Sequence, residues 1–366
     1  MPLSKGRQGV TKAVRIYGQD DIRVEDVAIQ DPRADQVQIK VKNCGICGSD
    51  LHAYLEGWGL PTQPHPLTGK TVPITLGHEF SGTVVKVGAD VTDLKAGDDI
   101  AVEPLLACGK CDNCRAGNYN FCDNVVAEDG AGNFLGFSED GGMAEYANID
   151  DVFAHKLPEG MSYELGALCE PVSVAYEGIK KCGLREGQTV AVMGAGPIGL
   201  NTALLARIAG ANRVYISDVS EVRLDKAREL GFTDVLNPLK DDVNAVIRRD
   251  YPTGVDITFE CAGVQATFDT ALKITRRTGK LQIVALFGHP TTVNFTDDVI
   301  MQGIDIITTL CYNNSFDTVL GIMNNHRADF EPLVTKKVSL DDAVEQGIKA
   351  LSSDKSQVKI MVSPEA

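Results

Sequence analysis

Residues 108–122 read CGKCDNCRAGNYNFC, with cysteines at 108, 111, 114 and 122. The C-x2-C-x2-C-x7-C spacing suits a tetrahedral zinc ion, and four thiolates leave that ion no open position for water or substrate. Such a site staples a loop rather than catalysing. An iron–sulfur cluster also takes four cysteines, but no proline follows Cys122 and no electron-transfer context accompanies it. A structural zinc held by Cys108, Cys111, Cys114 and Cys122 is therefore expected.

Catalysis needs a vacant position, and donors for one are scattered. NCGICGSDLH carries Cys47, Ser49, Asp50 and His52, LGHEFSG carries His78 and Glu79, and LCEPVSV carries Glu170. Cys47, His78 and Glu170 would give three mixed ligands and one free position, the arrangement of a catalytic zinc. A lone Cys or His is more often a packed side chain than a ligand. Spacing alone leaves this grouping open.

A third cluster is made of glycines. VAVMGAGPIGL places Gly194, Gly196 and Gly199 in G-x-G-x-x-G order between a strand-like and a helix-like run. Asp218 ends the next strand about twenty residues on, as the dinucleotide motif requires. The glycines permit a tight turn and close approach of a pyrophosphate to the helix N-terminus, whose free N–H groups favour an anion. Asp218 can accept hydrogen bonds from the adenosine ribose, and its charge repels a 2′-phosphate, so NAD is expected over NADP. Pro197 and Ile198 within the turn, and Arg223 past Asp218, complete the expected cofactor-binding set.

Two kinds of element must position these groups. Up to about Pro158 the chain is β-rich: KAVRIYG, DIRVEDVAI, VQIKVKNCGIC, TVPITLGHEFSGTVVKVG and DDIAVEPL are short apolar runs broken by Asp, Pro and Gly, which suggests a compact barrel-like domain. From Gly187 the period changes. TVAVMGAG, RVYISDV, VDITFECAG and KLQIVALFG alternate with helix-like segments, the pattern of βαβ units and a parallel sheet covered on both faces. After about Leu310 come two helix-like stretches, FDTVLGIMNNH and LDDAVEQGIKALSS, and a last strand, QVKIMV. The fold class is α/β, with domains expected over 1–160 and 161–310 and a return over 311–366.

Composition narrows the function classes. The 366 residues, 43% hydrophobic and 23% charged, have the balance of a globular protein of two domains. The N-terminal MPLSKGRQGVTKAVRIYG has no apolar h-region, so no secretory signal is expected. No apolar run approaches the ~20 residues that span a bilayer, and a cytoplasmic location is the default. In a reducing compartment the 10 cysteines are metal ligands or core residues rather than disulfides. A net charge of -15 argues against a nucleic-acid partner. Cys44, Cys182, Cys261 and Cys311 lack partners at ligand spacing and read as core thiols. His65 and His289 read as surface or cleft residues, and Trp58 as a substrate-entrance or domain-capping residue.

GICGSDLH, GHEFSGTVVKVG, the four-cysteine loop, the Glu170–Pro171 dipeptide and GAGPIG stand in the order in which they occur in zinc-dependent medium-chain dehydrogenases, which the chain resembles nearly from end to end. PHPLTGKTVPITLGHEFSG and the tail LVTKKVSLDDAVEQGIKALSSDKSQVKIMV carry a closer likeness to the polyol and butanediol branch, above all to (R,R)-2,3-butanediol dehydrogenases. The resemblance implies a GroES-like β-barrel catalytic domain, a Rossmann doubly wound sheet and a return that completes the first domain. It implies that Cys47, His78 and Glu170 hold a catalytic zinc, with Asp50 orienting His78 and Glu79 beside the metal and able to exchange with water or substrate. Cys169 next door matches the branch less well than Glu170. Ser49 and His52 are implied as the proton relay. The implied reaction is hydride transfer between NAD and a small secondary alcohol or ketone, butanediol and acetoin first, with sorbitol, xylitol or threonine as alternatives. A non-catalytic NAD-binding sensor is the contrasting class, disfavoured because every matched ligand is present. A homo-oligomer, dimer or tetramer, is also expected. Tyr54, Leu55, Trp58 and Phe137 are the candidate pocket walls and are largely apolar, which leans toward a small diol.

Overall fold

The protein is described by a computed structural model over residues 9–354 and 356–365. Residues 1–8, on which part of the signal-peptide reading rests, lie outside the described residues. The chain forms two compact units, one of Met1–Glu170 with Phe316–Ala366 and one of Pro171–Ser315.

The first unit is built on antiparallel strands β1 (Val10–Gly18), β2 (Asp21–Ala28), β3 (Gln36–Gly45), β4 (Ile74–Thr75), β5 (Glu79–Val87), β6 (Asp99–Val102), β7 (Tyr146–Asp150) and β8 (Ala154–Lys156). Strands β2, β1 and β4 make one sheet, and β3 is the hub of a second, paired with both β5 and β7. That position explains why β3 is buried along most of its length, whereas the edge strand β2 is only half-buried. Val37, Ile39 and Val41 of β3 meet Phe80, Ile100 and Leu76 in the core. Each such side chain contributes ~1.5–3 kcal/mol on burial. Short helix α1 (Gly48–Glu56) follows β3 directly, short α2 (Asp112–Arg115) lies in the cysteine loop, and α3 (Tyr163–Cys182) runs through the division between the units.

The second unit carries strands β9 (Thr189–Met193), β10 (Arg213–Ser217), β11 (Asp234–Leu236), β12 (Val255–Glu260), β13 (Thr275–Ile283) and β14 (Asp305–Thr308) in one sheet. Their spatial order is β11-β10-β9-β12-β13-β14, and every pairing is parallel. Helices α4 (Pro197–Ile208), α5 (Glu221–Glu229), α6 (Val243–Asp250) and α7 (Gln265–Ile274) are the crossovers. Every residue of TVAVM in β9 is buried, the signature of a central strand covered on both faces. The strand order reverses between β9 and β12, and open α/β sheets bind ligands at such a switch point.

The chain then returns to the first unit. After α8 (Phe316–Asn325), strands β15 (Val334–Ser339) and β16 (Lys359–Ser363) pair in parallel, and β16 adds antiparallel to β3 through Met361↔Gly45 and Val362↔Cys44. Val338, Ile360 and Val362 thereby join the core of the first unit.

Candidate active site

Cys47 stands at the N-cap of α1 in extended backbone, and its N–H donates to Asp50 Oδ2 at 2.9 Å. His78 sits just before β5, with Nε2 3.3 Å from Ser49 Oγ and Nδ1 3.7 Å from Asp50 Oδ1. The latter is an ion-pair distance rather than a hydrogen bond, and neither buried atom has a hydrogen-bond partner among the described residues. Asp50 therefore faces the ring nitrogen expected of it, and Nε2 is left on the Cys47 side. Burial opposes the imidazolium, but Asp50, Cys47 and Glu170 outweigh it and lift the His78 pKa to about 10. So many anionic groups around one imidazole make a setting that favours a bound cation.

The donor atoms of Cys47, His78 and Glu79 lie within 4.8 Å of one another. Ligands ~2.0–2.3 Å from a tetrahedral zinc ion stand ~3.3–3.8 Å apart, so a modest contraction lets all three share an ion. The donor set, one soft thiolate, one imidazole and one carboxylate, suits zinc. Glu170, in α3, is buried and acts electrostatically on both His78 and Lys359, yet it is Glu79 whose oxygen falls in the tight donor set. The neighbouring Cys169 turns away, its thiol donating to the Phe316 carbonyl.

Glu79 has a partner that sequence reasoning missed. Lys359 of β16 donates to both its carboxylate oxygens, at 2.6 and 2.5 Å, and to the Ile46 carbonyl at 3.1 Å. Both residues are almost wholly buried. Burial alone would lower the lysine pKa, but Glu79, Cys47 and Glu170 raise it. The carboxylate rests over Gly45, where a Cβ would come within 2.1 Å of Glu79 Oε2. The one clue in the sequence is a lysine inside the otherwise apolar run VKIMV.

An aromatic wall stands beside the donors. Phe134 and Phe137 pack edge-on to His78 with ring centroids 5.1 and 5.7 Å away, and Trp58 meets both Phe137 and His52. Of the four expected wall residues, Trp58 and Phe137 touch the site's aromatic cluster, while Tyr54 packs on the core and Leu55 is exposed. Phe134 was not foreseen. Ser49 and His52 are one turn apart on α1; His52 is open to solvent and 3.3 Å from Glu56 Oε1. His289 is exposed, but His65 is buried, contrary to the surface assignment: its Nδ1 lies 3.4 Å from the Leu67 and Thr68 amides, which fold the loop around it. Cys44 and Cys182 are buried as expected of core thiols, whereas Cys261 and Cys311 are only partly so.

The cysteine loop brings its four sulfurs together. Cys108 and Cys114 Sγ are 3.9 Å apart, as are Cys111 and Cys122 Sγ, close to the ~3.8 Å edge of a tetrahedron with 2.3 Å zinc–sulfur bonds. Backbone N–H groups of Cys108, Lys110, Cys111 and Cys114, with the Asn124 amide, point at these sulfurs. Donors at Lys110, Cys111 and Asn124 bring the Cys108 thiol down to about 6. This is a cradle for thiolates, and it fits zinc.

In the second unit, Gly194 adopts φ +104° against Ala262, and a Cβ on Gly199 would lie 1.8 Å from the Gly194 carbonyl oxygen. Gly196 caps α4, Pro197 and Ile198 open its first turn, and a Cβ on Gly196 would meet only Arg223, at 4.0 Å. The space over this N-terminus is therefore open to an anion. Asp218 accepts from the Ala195 and Ser220 amides at 2.8 Å and lies 3.6 Å from Arg223 Nη1. It holds the turn closed.

A GroES-like β unit with a mixed thiolate–imidazole–carboxylate site and a doubly wound dinucleotide fold define a metal-dependent dehydrogenase. Two family models match accordingly, the alcohol dehydrogenase GroES-like domain over residues 33–159 and zinc-binding dehydrogenase over 197–325. The chain belongs to the zinc-binding alcohol dehydrogenase family. It is 40% identical to a (R,R)-butanediol dehydrogenase of Bacillus subtilis, over 96% of this chain and 99% of that one. It is 34% identical to a sorbitol dehydrogenase of the same organism, over 96% and 97%. Among solved structures, a 2R,3R-butanediol dehydrogenase from Bacillus subtilis superposes with a TM-score of 0.90 at 39% identity, covering 97% and 99% of the two chains. A zinc-binding dehydrogenase from Sinorhizobium meliloti bound to NADP gives 0.88 at 31% identity, covering 98% and 100%. No helix among the described residues is long and apolar enough to cross a membrane.

Proposed function

We propose that this enzyme interconverts (R,R)-2,3-butanediol and acetoin with NAD(H), using one catalytic and one structural zinc per chain. The observation that carries the reading is the convergence of Cys47, His78 and Glu79 beside a wall of Phe134, Phe137 and Trp58. Held by Cys47, His78 and Glu170, with Glu79 beside it, zinc would supply a Lewis acid for the alcohol oxygen, and NAD would supply the hydride acceptor. Asp50 fixes the His78 ring at Nδ1 and leaves Nε2 toward the metal position. Ser49 takes the hydroxyl proton as it gives up its own, and His52, one turn along α1 and open to water, delivers a proton to solvent. The aromatic wall excludes water and offers apolar cover to the diol's methyl groups. A polyol's further hydroxyls would each cost ~1–3 kcal/mol if left unsatisfied against such a wall.

NAD is favoured over NADP because Asp218 faces the ribose position. Arg223 beside it is the feature that would favour a 2′-phosphate, as would the NADP-bound relative. Ten thiols without a disulfide suit a cytoplasmic setting. The edge strand β14 and the exposed Phe295, Ile300 and Met301 support a homo-oligomer. The test is kcat/KM for acetoin, the butanediol stereoisomers, sorbitol, xylitol and threonine, each with NAD and NADP. Acetoin and (R,R)-2,3-butanediol should lead. A polyol preferred about tenfold, or ~1.4 kcal/mol in transition-state binding, refutes the substrate assignment.

A further inference from the structure

Glu79 is offered two cations, and the fold determines which one it takes. Its oxygen belongs to the tight donor set with Cys47 and His78, yet both its oxygens are already engaged by Lys359. The seat is made by the backbone. Gly45 and Glu79 are direct partners across β3 and β5, and Gly45 also faces Met361 of β16, so three adjacent strands enclose the pair. The missing Cβ at Gly45 leaves the space the carboxylate occupies, and a Cβ there would also come within 3.1 Å of Lys359 Cδ. Lys359 is tied from a third side by the Ile46 carbonyl, one residue before Cys47. A buried lysine with both its charge and its hydrogen bonds satisfied by one carboxylate is a strong competitor for that carboxylate.

We propose that Lys359 is a positioning residue that holds Glu79 off the catalytic metal in the resting enzyme, and so sets how tightly the metal is bound and keeps one of its coordination positions free. This rests on the reading of Cys47 and His78 as metal ligands. Without Lys359 a buried, unpaired carboxylate would lie within reach of a dication, and ligating the metal is the one compensation the site offers it. The vacant position would then be filled by the protein itself. Lysine suits the task better than arginine's rigid fork, because a compact ammonium on a flexible stem can release one oxygen while keeping the other.

The experiment uses the full-length enzyme with cobalt(II) in place of zinc at the Cys47 site, and reads the metal's d–d absorption and its affinity in competition with a chelator. Lys359→Met should shift the spectrum and tighten metal binding about tenfold or more, and kcat should fall with it. The double variant Lys359→Met/Glu79→Gln should return the wild-type spectrum, because the effect runs through Glu79. Glu79→Gln alone, with Lys359 in place, should leave the resting spectrum as in wild type; this arm also tests the inference if Lys359→Met does not fold. A wild-type spectrum and affinity in folded Lys359→Met, a double variant that keeps the shift, or a changed resting spectrum in Glu79→Gln each overturns the proposal. Cys47→Ala separates the two readings. If it retains the metal at full affinity, the metal site itself is misassigned; if it loses the metal while Lys359→Met matches wild type, only the role of Lys359 falls.

Discussion

His155 of β8 has both ring nitrogens on carboxylates, Nε2 at 2.9 Å from Glu103 and Nδ1 at 2.8 Å from Asp317 in the first turn of α8. Only an imidazolium can donate at both positions. Glu103 is buried and also accepts from Tyr119 of the cysteine loop, so one histidine ties that loop, β6 and the returning helix together. Its ring lies against Phe316, 5.0 Å between centroids, and His155→Phe should keep that contact while removing both donors. The buried bond to Glu103 is charge-assisted and worth ~1.5–3 kcal/mol; the bond to Asp317, whose side chain is 84% exposed, adds only ~0–1 kcal/mol. The variant should therefore lose ~1.5–4 kcal/mol at pH 6. At ~2–4 °C per kcal/mol for a unit of this size, that is a Tm drop of roughly 3–16 °C. The difference should shrink with rising pH. Burial lowers the His155 pKa, but Glu103 and Asp317 raise it by more, so the folded value lies above the free value of 6.5. A raised histidine stabilises fully below its free pKa, and that contribution is lost as pH rises through the folded value. Tm of both proteins from pH 6 to 9.5 is the assay. A gap below ~1 kcal/mol at pH 6, or one that stays constant or widens with pH, refutes the reasoning.

Metal analysis of the purified enzyme should find two zinc ions per chain, roughly one for each donor set. Cys47→Ala should lose activity and one zinc while staying folded, whereas Cys111→Ala should lose heat stability first; iron, or a single metal in a fully active sample, contradicts this. Wild type should prefer NAD strongly, and Asp218→Gly should narrow the gap to NADP by removing repulsion and leaving Arg223 as the nearest charge. Equal kcat/KM with both cofactors in wild type would show that Asp218 does not select.

The alternation of strands and helices after Gly187 made the parallel sheet legible, because a buried strand and a G-x-G-x-x-G turn impose local demands that single residues meet: Gly199 must be glycine with a carbonyl 1.8 Å from its would-be Cβ. The cysteine loop was equally legible, since all its sulfurs come from one short segment. What escaped notice depends on pairings between distant strands. Lys359 gains its meaning only from β16 meeting β3, and Phe134 only from the loop that returns it to His78. His65 looked exposed in its Pro-flanked loop, but the Leu67 and Thr68 amides turn toward its ring and carry it inside. Glu79 and Glu170 were told apart by resemblance alone, because spacing cannot say whether a carboxylate on β5 or one on α3 will be brought nearer to Cys47 and His78.

The pairing of β16 with β3 also has a meaning in time. A ribosome delivers Cys47, His78 and Glu79 early, and Lys359 arrives 280 residues after Glu79. Synthesis at ~5–20 residues per second makes that interval tens of seconds at the slow end. Throughout it the Cys44–Gly45 end of β3 lacks its β16 partner, a short open edge for stray strands, and Glu79 has no lysine to hold it. A nascent chain in that state would grip any available metal through Glu79 as well as Cys47 and His78. The arrival of the last strand then closes the edge and frees a coordination position in one step, so the enzyme would become competent for chemistry only when its final strand is in place.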